Sequence, residues 1–162
     1  MVADLEMITL TPIATVRNNR KEIKDDLWGE VVSIIELASS LPDEALDEIE
    51  SFSHAEIVYY FHKVDEAKIE TGSRHPRNNK SLPKVGILSQ RGKNRPNRLG
   101  ITIVKILKRE GRQLHVQGLD AIDGTPILDI KPVIREFLPR EEVRQPEWAT
   151  ELMKNYWVTK GE

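Results

Sequence analysis

The sequence of 162 residues contains no cysteine. This absence excludes disulfide bonds, a thiol nucleophile and every metal site that uses cysteine ligands. The sequence also lacks an apolar run long enough to span a bilayer. Its first ten residues, MVADLEMITL, do not combine a basic leader with an apolar stretch. We therefore expect no secretory signal, no membrane association and a cytoplasmic location.

The signatures of several common catalytic sites are also missing. The four histidines, at positions 54, 62, 75 and 115, show no close helical pairing, so we expect no metal centre. There is no G-x-S-x-G nucleophile motif. The stretch GLDAIDG (118–124) lacks the G-x-G spacing of a dinucleotide loop, and the prolines that follow disfavour the helix that such a loop needs. A Rossmann-type cofactor site is therefore not expected.

The composition is that of an ordinary globular protein, with 39% hydrophobic and 31% charged residues. A chain of this length suits one domain with a substantial core. We predict a single domain over residues 1–162 with a helical tail over about 145–157.

The net charge of −2 conceals an uneven distribution of charge along the chain. Twelve basic residues and one acid lie between Arg74 and Arg112, whereas ten acids and two lysines lie between Glu36 and Glu70. Such clustering favours a positive face that binds a polyanion, most commonly nucleic acid. The alternative is that folding disperses these charges around the surface.

Strand signals dominate the sequence. Six short runs are rich in Val, Ile, Thr and Tyr and are bounded by turn residues: 7–16, 30–37, 55–64, 84–90, 100–108 and 113–120. The segment REGR (109–112) predicts a tight hairpin turn. Because the chain does not supply helices between these runs, we predict an all-β fold of about six or seven short strands with one or two short helices, in which the strands form either a β-barrel or a strongly bent sheet.

Two segments have helical patterns. LPDEALDEIESF (41–52) has a proline and acids in its first turn, and PEWATELMKNYW (146–157) places Trp148, Leu152 and Tyr156 four residues apart on one face. The irregular segment 65–83 is unusually long for a compact domain, which is typical of functional or mobile loops.

Two patterns leave alternatives open. The run from Ala55 has a clear core face, whereas its other face is polar and aromatic and predicts either a solvent-facing surface or the wall of a ligand pocket; this face comprises His54, Glu56, Val58, Tyr60 and His62. Asp120, Asp123 and Asp129 could accept hydrogen bonds from ribose hydroxyls or an amine, but the interpretation as turn-forming residues is favoured.

A basic loop, QRGKNRPNRLG (90–100), lies between two predicted strands. It carries four cations: Arg91, Lys93, Arg95 and Arg98. Its composition alone allows either a solvated hairpin connection or a cradle for an anion.

Several stretches together resemble the TrmO family, also called YaeB-like or TsaA-like. FSH (52–54), FH (61–62), GILSQRGKNRPNRLGIT (86–102) and GLDAIDGTPILDIKP (118–132) stand in the order of the family's motifs. The similarity covers about residues 8–135. Two long motifs in the correct order make it far more specific than a single short signature.

The resemblance implies an S-adenosylmethionine-dependent tRNA methyltransferase with a single-sheet β-barrel that acts as a homodimer. Family members methylate N6 of N6-threonylcarbamoyladenosine, the modified base immediately 3′ of the anticodon in certain threonine tRNAs. It also implies a form without the appended C-terminal domain of longer members.

The resemblance also assigns candidate cofactor-binding residues by position. They come from four places: His62 and Lys63; Arg91 and Gly92; Thr102; and Leu119, Asp120 and Ala121. Asp25, Asp26 and Trp28 align less well with the family's N-terminal cofactor segment.

The basic residues are the candidates for contacts with the RNA. Arg91 and Arg95 are the candidate catalytic residues, which would grip a carboxylate or neighbouring phosphates of the substrate, with Lys131 as a third. The remaining cations are predicted to hold the anticodon stem-loop through its phosphates: Arg74, Arg77, Lys80, Lys93 and Arg98. His62 could serve as a base or contact the cofactor, and no general base is assigned.

Two positions depart from the family motif. Arg98 stands where the family has proline, and Val133 stands where it has tyrosine. These departures leave two alternatives: a nucleic-acid-binding barrel without catalysis, and a methyltransferase that acts on a small carboxylated metabolite.

Overall fold

The computed structural model describes residues 3–159, so the first two and last three residues of the predicted domain lie outside it. The strands are β1 (Ala14–Arg17), β2 (Val32–Leu37), β3 (His54–Tyr60), β4 (Ser73–Arg74), β5 (Val85–Gly86), β6 (Leu99–Glu110), β7 (Gln113–Gln117) and β8 (Pro126–Pro132). Six of them close into an antiparallel barrel in the order β1-β2-β7-β6-β3-β8, and β4 pairs with β5 in a separate small sheet. The predicted single-sheet barrel is confirmed.

The barrel interior is the hydrophobic core. Along β3, the side chains of Ala55, Ile57 and Tyr59 are buried, whereas the residues between them lie on the outer surface. This alternation follows from the two-residue period of a strand. Full burial of an aliphatic side chain of the size of Ile57 stabilises the fold by about 1.5–3 kcal/mol.

The longest strand, β6, organises the barrel. It pairs with β3 through Leu99–Lys105 and with β7 through Lys105–Glu110. The two-residue connection to β7 contains Gly111 at φ +58°, a conformation that glycine adopts readily. The hairpin predicted from REGR is confirmed.

The predicted strands differ from those of the structure at three places. The run 84–90 contributes only Val85–Gly86 to a strand, because the chain then turns through the 3-10 segment Ile87–Ser89 and buries Ile87. Strand β8 was missed because of its prolines. They stand at its first and last positions, where a missing N–H is tolerated.

Residues 7–13 are also not part of a strand, since pairing begins only at Ala14. The predicted helix over 41–52 consists of two 3-10 turns, Asp43–Leu46 and Ile49–Ser51, because Glu48 adopts a left-handed conformation at φ +63° between them. The C-terminal helix is present as α1 (Glu147–Met153). No helix within residues 3–159 is long and apolar enough to cross a membrane.

Candidate active site

The carboxylate of Asp120 is surrounded by three hydroxyl groups from three separate elements. Tyr59 on β3 donates to Oδ1 at 2.9 Å. Thr102 on β6 also donates to Oδ1, and Tyr156, which follows α1, donates to Oδ2. We call these four side chains the Asp120 cluster.

The strand register explains how Tyr59 reaches this position. Gly100 on β6 lies opposite Tyr59. A Cβ atom at position 100 would lie 2.4 Å from the ring of Tyr59. The glycine therefore leaves the space that the aromatic ring fills, and Thr102, two residues further along β6, faces the same interior.

Both tyrosines of the cluster remain hydrogen-bond donors at ordinary pH. Burial, reinforced by the neighbouring Asp120 carboxylate, raises the pKa of Tyr59 far above its ordinary value. The same two causes, in the same order, raise the pKa of Tyr156. Since neither hydroxyl ionises near neutrality, each can donate its proton to Asp120.

The C-terminal segment carries Tyr156 into the cluster. The backbone N–H of Leu27 donates to the carbonyl of Asn155 at 3.1 Å, and that of Trp28 donates to the carbonyl of Tyr156 at 2.8 Å. Trp28 is buried, and the guanidinium of Arg20 lies 4.0 Å from the centre of its ring. The C-terminal tail therefore binds to the segment 27–29, which we call the seat.

Arg91 lies close to the cluster, and His62 lies near the turn that follows Asp120. Arg91 is exposed and donates to the carbonyl of Ile101, the residue before Thr102, and its charge acts on Tyr59. A Cβ atom at Gly124 would lie 3.8 Å from Nε2 of His62, so the imidazole lies beside the turn that follows Asp120. Partial burial, followed by the charge of Lys63, lowers the pKa of His62.

The structure therefore brings together part of the predicted cofactor set. Thr102 donates to Asp120, and Arg91 donates to the backbone of the residue before Thr102. Trp28 is joined to them through Tyr156.

The other predicted cofactor residues lie around this group. Leu119 and Ala121 contribute their side chains to the barrel core, so their backbone groups alone are available to a ligand. Lys63 and Gly92 are exposed.

The arginines of the basic loop bind backbone carbonyls of the chain itself. Arg95 donates to the carbonyl of Gln90 at 2.6 Å, and Arg98 donates to that of Val64 at 3.2 Å. Arg98 also lies over the ring of Tyr60 and adopts φ +51°. Proline, whose φ is fixed near −65°, could not take this conformation. The proline expected from the family motif would therefore require a different loop backbone at this position.

Other predicted RNA-binding residues have varied surroundings. Arg77 forms an ion pair with Asp26 at 2.9 Å and lies 3.9 Å from Asp25, whereas Arg74 donates to Asn78 at 2.8 Å. Lys80 is exposed and Lys93 is half-buried.

The structure does not place Lys131 near the Asp120 cluster. Its backbone lies opposite Glu56 on β3, and its ammonium is 3.7 Å from the carboxylate of Asp129.

Folding also divides the basic segment into two groups. The cations from Arg74 to Arg98 precede β6, whereas Lys105, Lys108, Arg109 and Arg112 lie on its second half and beyond. The 12 residues of β6 span about 35 Å at a strand rise of about 3.3 Å per residue. The far group is partly neutralised, since Arg109 pairs with Asp47 at 2.7 Å and Lys108 with Glu110 at 2.6 Å. Within the first group, Arg91 and Arg77 lie close enough for their charges to act on Tyr59 and Tyr156 of the Asp120 cluster.

Sequence reasoning missed Tyr156 as a site residue and treated Tyr59 only as part of the core. The spacing of Trp148, Leu152 and Tyr156 indicated a buried face, but it gave no sign that one hydroxyl meets a carboxylate. No group of three or more His, Asp or Glu side chains in the described part of the chain is arranged to hold a metal ion.

The donor set of the cluster fits a ligand with hydroxyl or amine groups. A carboxylate can accept about four hydrogen bonds, and among residues 3–159 three side-chain hydroxyls donate to that of Asp120. One acceptor position on Oδ2 is thus left for a ligand. S-adenosylmethionine offers ribose hydroxyls and an amine, so the residues present fit this group.

Residues 18–137 match the family described as the tRNA-methyltransferase O N-terminal domain. The match covers well over half of the chain. The chain belongs to the TrmO family. The resemblance inferred from the motifs is confirmed.

Individual TrmO relatives agree with this assignment. A "Probable S-adenosyl-L-methionine-binding protein" of Pyrococcus abyssi is 36% identical over 147 residues, which cover 85% of this chain and 74% of that protein. A human "tRNA (adenine(37)-N6)-methyltransferase" is 39% identical over 105 residues, covering 65% of this chain but only 23% of its own length. The crystal structure of TrmO from Pseudomonas aeruginosa aligns with a TM-score of 0.67 and 26% identity, covering 86% of this chain and 62% of that one.

Proposed function

We propose that the protein is an S-adenosylmethionine-dependent tRNA methyltransferase that methylates N6 of N6-threonylcarbamoyladenosine beside the anticodon of threonine tRNA. Membership of the TrmO family supports the enzyme class, the cofactor and the tRNA substrate. The observation that carries the proposal is the convergence of Arg91, Thr102 and Asp120, taken from the two family motifs, at one place in the structure.

In this proposal the chain's own residues bind and orient the reactants. S-adenosylmethionine, when bound, supplies an already activated methyl group, so no covalent intermediate with the protein is needed. Asp120 presents its remaining acceptor position on Oδ2, and the backbone at Leu119 and Ala121 flanks it. The lowered pKa of His62 keeps its imidazole neutral near pH 7, where it is able to accept a proton or a hydrogen bond.

Arg91 and Arg95 hold the anionic part of the substrate. A guanidinium has five N–H donors, and each of these arginines has a single side-chain hydrogen bond among the described residues. The donors that are left suit a carboxylate, such as that of a threonylcarbamoyl group, or a phosphate. The cations of the adjoining loops contact the RNA backbone: Arg74, Arg77, Lys80, Lys93 and Arg98.

The remaining features of the proposal concern the assembly of the protein. The chain acts as one domain, forms a homodimer and works in the cytoplasm. Outward-facing apolar side chains on β6, including Ile101 and Ile103, provide a surface that a second copy would cover.

Calorimetric titration with S-adenosylmethionine tests the cofactor site directly. We expect saturable binding by the purified chain and about a tenfold or greater loss of affinity in Asp120→Ala, because a hydrogen bond to a charged group is lost. A barrel without catalysis predicts no binding of this cofactor. A methyltransferase of small metabolites instead predicts binding followed by methyl transfer in the absence of tRNA.

A further inference from the structure

Tyr156 lies outside the part of the chain that matches the family. The match ends at residue 137, and Tyr156 follows α1 in the C-terminal tail. Its hydroxyl nevertheless donates to Oδ2 of Asp120, 36 residues away in sequence. A segment beyond the family domain thus reaches the carboxylate at the centre of the candidate active site.

The tail is held in place independently of this hydroxyl. Two backbone hydrogen bonds join Asn155 and Tyr156 to the segment 27–28, and the ring of Trp157 packs edge-on against that of Tyr156 at 4.9 Å between centres. A Cβ atom at Gly29 would lie 2.0 Å from the carbonyl oxygen of Trp157, so the tail lies directly against this glycine. The hydroxyl of Tyr156 is therefore not needed to attach the tail.

The hydroxyl instead determines what Asp120 can accept. Oδ1 receives Tyr59 and Thr102, which use both of its acceptor positions, and Oδ2 receives Tyr156. The protein thereby fixes the rotation of the carboxylate and leaves one acceptor position with a defined direction. Without Tyr156, Oδ2 would have two open positions and would recruit water.

We propose that Tyr156 is a positioning residue of the cofactor site, whose hydroxyl orients the Asp120 carboxylate toward a hydroxyl or amine donor of S-adenosylmethionine. This inference rests on the proposed function. It assigns to the tail a contribution to cofactor binding that the family domain alone does not contain.

Calorimetry with S-adenosylmethionine on Tyr156→Phe tests the inference, because phenylalanine keeps the ring and removes the hydroxyl. We expect the dissociation constant to rise about tenfold, which corresponds to about 1.4 kcal/mol, because the Asp120 carboxylate is no longer held in the direction that the cofactor donor requires. Tyr60→Phe is the matched control. No hydrogen bond from the Tyr60 hydroxyl is present among residues 3–159, so its affinity should equal that of the unsubstituted chain.

A double-mutant cycle separates positioning from packing. If Tyr156 acts through Asp120, the Tyr156→Phe substitution should have little further effect on affinity in an Asp120→Asn background. Thermal melting of each variant, with calorimetry performed well below the lowest midpoint, keeps folding out of the comparison. We expect Tyr156→Phe to lower the midpoint by only about 2–4 °C.

The outcomes distinguish the two proposals. Equal affinity of Tyr156→Phe and the unsubstituted chain overturns this inference and leaves the proposed function intact. A loss of affinity that persists in the Asp120→Asn background overturns the action through Asp120. Absence of cofactor binding by the unsubstituted chain overturns the proposed function and this inference together.

Discussion

Gly100 and Tyr59 show how one small residue places one functional group. The glycine has no side chain to occupy the space of the ring, and the ring in turn carries its hydroxyl to Asp120. The two residues face each other on neighbouring strands, so the site depends on a cross-strand pair as much as on the motif residues.

Replacing Gly100 by alanine should therefore destabilise the fold. The new Cβ would meet the Tyr59 ring at 2.4 Å, and overpacking of this kind costs about 1–3 kcal/mol. Thermal or urea unfolding measures the loss. Gly86→Ala is the control, because a Cβ there meets no atom within 4 Å of the described structure. Equal stability of the two variants would contradict the assigned role of Gly100.

Arg98 gains a structural role at the same scale. Its left-handed backbone, its hydrogen bond to Val64 and its position over Tyr60 tie the basic loop to the turn after β3. The resemblance to the family motif predicted only that position 98 departs from proline. The left-handed backbone and the contacts of the side chain show what arginine does for the loop.

At the scale of elements, the C-terminal tail supplies Tyr156, the one residue of the Asp120 cluster that lies outside the barrel strands and their loops. It has one short helix and few buried residues, so its attachment depends mainly on the seat formed by residues 27–29. A change at the seat should release the tail and leave the barrel folded.

Gly29→Ala is expected to release it. The alanine Cβ would lie 2.0 Å from a backbone oxygen of Trp157, and loss of the two seat hydrogen bonds would raise the open population of the tail about tenfold or more. Limited trypsin digestion at Lys154 measures this population, and we expect faster cleavage there. Gly86→Ala serves again as the control. Cleavage at the same rate in the unsubstituted chain, Gly29→Ala and Gly86→Ala would show that residues 27–29 do not hold the tail.

The sequence predicted the barrel but not all of its strands. Runs rich in Val, Ile, Thr and Tyr between turn residues identified β3, β6 and β7, and alternation correctly assigned the inner face of β3. Strand β8 was not predicted because prolines stand at both of its ends. The helix predicted over 41–52 does not form as one helix because Glu48 adopts a left-handed backbone conformation within it. The Asp120 cluster was only half predicted. Motifs identify residues near each other in sequence, whereas Tyr59 and Tyr156 reach Asp120 through folding.

At the scale of the whole molecule, the barrel separates two groups of cations that lie together in the sequence. Two cations of the group before β6, Arg91 and Arg77, act on tyrosines of the candidate active site. Acids pair with part of the group at the far end of β6 and also with Arg77 in the first group. The predicted positive face is therefore narrower than the sequence indicated.

This division predicts where RNA binds. Replacing both Lys80 and Lys93 by glutamine should weaken tRNA binding and reduce the dependence of log K on log salt by about 1–2, since each phosphate contact contributes about 0.7–0.9 to that slope. Filter binding over a range of salt concentrations measures both quantities. The same replacement at Lys105 and Lys108, at the far end, should leave both unchanged. A larger effect from the far pair would place the RNA at the other end of the barrel.

The most direct measurement is mass spectrometry of nucleosides from threonine tRNA incubated with the purified protein and S-adenosylmethionine. We predict that N6-threonylcarbamoyladenosine gains one methyl group, and that tRNA lacking the threonylcarbamoyl group is not methylated at this base. An unchanged threonylcarbamoyl nucleoside, in a preparation that binds S-adenosylmethionine, would contradict the proposed reaction.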